Sequence, residues 1–91
     1  MKYRIYKYPV KVTATQTIEV PAESELLDMQ FQNGELQMWV KIPTQPSLEN
    51  PWRISLAIVG TGHEVPQDAI RHITTVQSQG YVWHIFATGV E

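Results

Sequence analysis

Asn33-Gly34 sits between two segments in which apolar and polar residues alternate. Both residue types tolerate positive φ, as the central positions of a type I′ turn require, so the dipeptide marks a β-hairpin. Its arms are Leu26 to Gln32 and Glu35 to Ile42. Leu27, Met29 and Phe31 share a face of the first arm. Leu36, Met38, Val40 and Ile42 share a face of the second, which puts Trp39 on the opposite face with Gln37 and Lys41.

The rest of the chain repeats the pattern. Lys2 to Val10 alternates, with Tyr3 and Ile5 on one face and Arg4, Tyr6 and Tyr8 on the other. Pro9 confines that strand to an edge or ends it. Val12 to Val20 places Val12, Ala14 and Ile18 together, with Gln16 an unexpected polar member of the set. Pro21 to Ser24 is a turn, and proline-rich Pro43 to Pro51 is a loop. Trp52 to Val59 is the next strand, with Ile54, Leu56 and Ile58 on one face. Pro66 to Ile70 suits one short helical turn, with Pro near its start. Arg71 to Gln77 and Tyr81 to Ala87 form a second hairpin around Ser78-Gln79-Gly80, and Thr88 to Glu91 is expected to fray. Nine valines, eight isoleucines, eight threonines and nine aromatics favour pleated, half-buried surfaces throughout. The expected fold is mainly β. It is one domain over residues 1–91, a small antiparallel β-sandwich or partly open barrel of about seven short strands, with at most one helical turn.

Composition narrows the function. Seven Lys and Arg against nine Asp and Glu leave a net charge of −2. A general nucleic-acid binder usually carries a basic stripe instead. Lys2, Arg4, Lys7 and Lys11 do cluster, but cations along one strand more often guard a sheet edge. No apolar run is long enough to span a membrane, and Met1 to Tyr8 lacks the apolar centre of a signal peptide. A cytosolic location is the expectation. There is no cysteine, so neither a disulfide nor a thiolate is available. A chain of this size buries only about 60–65% of its unfolded surface. Self-association into a homo-oligomer is therefore expected to complete the core.

The stretch most able to carry chemistry is Gly60-Thr61-Gly62-His63-Glu64, directly after a strand. Closely spaced glycines allow backbone N–H groups to converge on an anion. The same string also suits a plain tight turn or bulge. It lacks the third glycine of a dinucleotide fingerprint and the Gly-Lys pair of a P-loop. In Tyr81 to Phe86, Tyr81, Trp83 and Ile85 share one face, while Val82, His84 and Phe86 share the other. Such a strand is expected to be central and covered on both sides, by a second sheet or another subunit. Trp39 and Trp83 suit either core and interface packing or stacking on a base. Arg53 or Arg71 suits a phosphate. His63, His72 and His84 show no metal-ligand spacing, so no metal or other cofactor is expected. No catalytic constellation is visible, although His63 and Glu64 leave a weak hydrolase alternative.

Ile5-Tyr6-Lys7-Tyr8, Thr15 to Pro21, Gln32-Asn33-Gly34, Gly60-Thr61-Gly62-His63 and Val82-Trp83-His84-Ile85-Phe86 together give a family resemblance. The chain resembles a family of small uncharacterised proteins of tailed bacteriophages and prophages, with Ile85 at a position where Val is expected. The resemblance implies phage origin and action in the cytoplasm of a bacterial host. It carries over no catalytic role. The resulting expectation is a non-catalytic anti-defence protein that sequesters a small phosphorylated ligand, a nucleotide immune signal. Its ligand residues are expected to be Gly60, Thr61, Gly62, His63, Glu64, Arg53, Trp39, Trp83 and His84. The alternative is a protein–protein module, either a host-enzyme inhibitor or a minor virion or assembly factor.

Overall fold

The computed structural model describes residues 1–88. Seven strands form in chain order: β1 (Tyr3–Pro9), β2 (Thr15–Val20), β3 (Glu25–Gln32), β4 (Glu35–Pro43), β5 (Trp52–Gly60), β6 (Ala69–Ser78) and β7 (Tyr81–Thr88). They make two antiparallel sheets, one of order β1-β4-β3 and one of order β2-β5-β7-β6. The architecture is an open β-sandwich, and the barrel alternative falls away. No helix forms among the described residues. Where the sequence suits a helical turn, the Ala69 N–H donates to the Pro66 carbonyl at 3.0 Å and closes a single β-turn. Of the expected frayed end, Thr88 completes β7, and residues 89–91 lie outside the described residues.

Both hairpins turn through two residues with positive φ. These are Asn33 (54°) with Gly34 (81°), and Gln79 (53°) with Gly80 (85°). This is the type I′ geometry that matches strand twist. It fixes Ser78 opposite Tyr81 and Gln32 opposite Glu35.

The core lies between the sheets. Met29, Met38, Val40, Leu56 and Ile85 are fully buried, with Leu36, Ile42, Val20 and Val76 beside them. The expected inward face of β4 is therefore the real one. β1 is an edge strand of its sheet, as its proline and cations imply. Tyr8 packs against the core, and burial, with Tyr6 alongside, holds its phenol above the ordinary pKa.

Two local expectations fail for physical reasons. β3 does not present Leu27 with Met29, because a β-bulge lies between Leu26 and Asp28. An extra residue reverses which side the preceding side chain takes. Leu26 therefore packs on the core and Leu27 is 44% exposed. Leu26→Ala is expected to cost about 2 kcal/mol and Leu27→Ala only about 0.5 kcal/mol. Urea unfolding of the two variants checks this, and a reversed order contradicts the bulge. The second strand also starts late, at Thr15, leaving Val12 exposed. Gln16 explains the delay. Its side-chain amide donates to the Lys11 carbonyl and to Thr13 Oγ1, and accepts from the Lys11 N–H. A glutamine on the apolar side of the alternation thus holds the preceding loop together.

β7 is central, flanked by β5 and β6. The opposite sheet covers one of its faces. Cover for the other comes from the chain itself. β6 runs parallel to β5, because both are antiparallel to β7. Gly60 pairs with Trp83 near one end of β7, whereas Ala69 pairs with Thr88 at the other. Residues 61–68 must therefore run back along the sheet, and the Thr61–His84 hydrogen bond holds the first of them on the face away from the core. Ala57 and Val59, which point to that outer face, are 0% and 6% exposed.

Candidate functional site

β5 ends in a tight turn. The His63 N–H donates to the Gly60 carbonyl at 3.1 Å, and Gly62 has a φ of +91°. This is the signature of a type II turn, in which the third position favours glycine. The string is therefore a turn first. It also spends the His63 N–H internally, so a cradle of N–H groups for an anion loses that donor. Gly60 adopts no left-handed conformation. A Cβ there would meet the Trp83 ring at 3.5 Å and the His63 ring at 3.6 Å, so the two rings flank Gly60 closely.

Thr61 begins a polar chain across the outer sheet face. Its Oγ1 lies 2.8 Å from His84 Nε2. His84 Nδ1 lies 3.1 Å from Thr75 Oγ1, which is 2.9 Å from His72 Nε2. A neutral imidazole has one donor and one acceptor nitrogen, so donors and acceptors along this chain must run in a consistent order. The Phe86 ring meets His72 edge-on, with centroids 5.4 Å apart. The chain anchors the start of the 61–68 crossover to β7 and β6.

At the same end of the sandwich, Gly60, Thr61, His63, Gly80, Tyr81, Val82 and Trp83 line a cleft of about 460 Å³. Tyr81 stacks on Trp83 with centroids 5.9 Å apart and planes inclined by 23°. The fold thus joins Gly60, Thr61, His63 and Trp83, as the sequence suggests, with Gly62 shaping the turn. His84 does not line the cleft but holds Thr61 from behind. Glu64 is exposed and does not line it.

Two further expected residues lie elsewhere. Arg53 is seven positions back along β5, roughly 23 Å away at strand rise. It pairs with Glu19 at 3.6 Å and, with Arg71, lines a separate cavity of about 390 Å³. Trp39 is on the outer face of the other sheet, between Lys7 and Asp28. Tyr81 was not among the expected ligand residues. Its signal lay in the alternation that puts it on the same strand face as Trp83. No group of three or more metal-ligating side chains converges among the described residues. Nor is any helix there long and apolar enough to cross a membrane.

The fold and cleft define a small all-β sandwich with an aromatic-walled cleft at one end. The chain belongs to the family described as a domain of unknown function (DUF7352), which matches it over residues 1–91. No curated protein and no solved structure matches it.

Proposed function

We propose that this is a phage-encoded accessory protein that binds and sequesters a small phosphorylated ligand, a nucleotide immune signal, in the bacterial host cytoplasm, without catalysis. The observation that carries the reading is the stacked Tyr81–Trp83 pair on the wall of the cleft. The cleft volume lies within the range of about 300–1,000 Å³ usual for small-molecule sites. A base stacked on an aromatic side chain gains about 1–3 kcal/mol. Thr61 and His63 supply polar groups at the cleft. No lysine or arginine lines it among the described residues, so the base contributes most of the affinity and the phosphate sits at the mouth. A nucleoside is then expected to bind within about tenfold of its nucleotide, a gap of about 1.4 kcal/mol.

The test is mass spectrometry for a co-purified ligand, with thermal-shift screening against cyclic dinucleotides and ADP-ribose derivatives. A hit should raise the melting temperature of the full chain. Tyr81 is 65% exposed, so Tyr81→Ala should leave the fold intact. It should weaken the hit by about 5- to 150-fold, the equivalent of the stacking energy. A panel without any shift, from protein carrying no ligand, overturns the proposal.

A further inference from the structure

The outward face of the three-stranded sheet combines exposed apolar groups with an ordered charge pattern. Trp39 sits at its centre on β4, half-buried. Ile5, Leu27 and Tyr3 are 60%, 44% and 39% exposed. In one row straight across the sheet, Trp39 is flanked by Lys7 on β1 and Asp28 on β3. Neither of these is in an ion pair among the described residues. Two strand spacings, roughly 10 Å, separate their backbones, which is too far for them to serve each other. Lys7 instead spends its ammonium on Gln32 Oε1 at 2.7 Å. Asp28 accepts from the Met29 N–H at 2.7 Å, which fixes its position at the bulge.

We infer that this face packs against the same face of a second copy, across a twofold axis parallel to the strands and passing over Trp39. This homodimer stands independently of the proposed ligand. Such an axis keeps each row in place and exchanges β1 with β3. Lys7 of each copy then lies over Asp28 of the other, and Trp39 lies over Trp39. A twofold interface must be self-complementary, and the row cation–tryptophan–anion is so about its own centre. In the next row, Lys41 faces its copy, but Glu25 at 3.2 Å and the Tyr3 ring at 4.6 Å already balance that charge. A buried central Trp ringed by polar contacts is the usual anatomy of an energetic anchor. The face is about three strands wide and nine residues long, roughly 450 Å² in projection. That is modest beside the usual contribution of about 800 Å² per partner, so a micromolar dimer is expected.

Sedimentation velocity on the full chain, from micromolar to several hundred micromolar, tests this. Wild type should shift from monomer to dimer, and less so at higher salt. Lys7→Asp and Asp28→Lys should each raise the dissociation constant at least tenfold, and Trp39→Ser should abolish the dimer. The double exchange Lys7→Asp with Asp28→Lys should restore it, because the complementarity is kept with reversed sign. Lys7 is on an exposed outer strand, so its variant reads the interface even if Asp28→Lys disturbs the bulge; melting curves confirm that each variant is folded. A wild type monomeric throughout overturns the inference. So does a dimer indifferent to the charge changes, or a folded double variant that stays monomeric.

Discussion

Leu56→Ala is expected to cost about 3–5 kcal/mol. Leu56 is completely buried at the middle of β5, between β2 and β7. It shares the core with Met29, Met38, Val40 and Ile85. Truncation there leaves a cavity that two hydrogen-bonded neighbouring strands prevent from collapsing. A domain of this length holds a net stability of about 5–14 kcal/mol. No disulfide limits the freedom of the unfolded chain. The variant should therefore melt roughly 12–30 °C below wild type. Met38→Leu, also at a fully buried site, keeps the volume and should cost less than about 1.5 kcal/mol. Differential scanning calorimetry of both variants separates cavity formation from a general intolerance of the core. A Leu56→Ala protein melting within a few degrees of wild type would place the core elsewhere.

What was legible in the sequence were the features that a few adjacent residues determine. Asn33-Gly34 and Gln79-Gly80 supply the positive φ values that their turns need, and both hairpins follow. The alternation of β4 places Leu36, Met38, Val40 and Ile42 inward because β4 itself carries no extra residue and its ladder with β1 is continuous. In β3 the alternation misleads, since the bulge after Leu26 depends on how β3 registers with β4. Gln16 looks misplaced until the loop that it holds is seen. The site divides in the same way. Gly60, Thr61, His63 and Trp83 meet because Gly60 pairs directly with Trp83 across β5 and β7. Alternation assigned Trp39 and Arg53 to strand faces, but only strand order shows which sheet or which end they occupy. The crossover at 61–68 follows from the same order. One reason for self-association is also removed, because Ala57 and Val59 on the outer face of β5 are already buried within the chain. Around Trp39, by contrast, Ile5, Leu27 and Tyr3 stay exposed beside the half-buried ring.

Trp83→Ala should produce two losses that separate cleanly. The ring packs against the core from its edge, so truncation should cost about 2–3 kcal/mol, below the range for a fully buried Trp. It also removes the cleft wall that stacks on Tyr81 and flanks Gly60. If the base lies on that wall, affinity should fall by about 100-fold or more, the upper part of the stacking range. Trp83→Phe keeps an aromatic face and should recover most of the binding while leaving part of the stability loss. Linkage distinguishes the two effects. A ligand present at about 100 times its dissociation constant stabilises a folded protein by about 2.7 kcal/mol. Wild type and Trp83→Phe should both show that increment in chemical denaturation. Trp83→Ala should start from a lower baseline and show almost none at the same ligand concentration. An Ala variant that is less stable but gains the full increment binds its ligand outside the cleft. The Gly60–His63 turn would then be a strand terminator only, and the search for the site would move to the cavity beside Arg53 and Arg71.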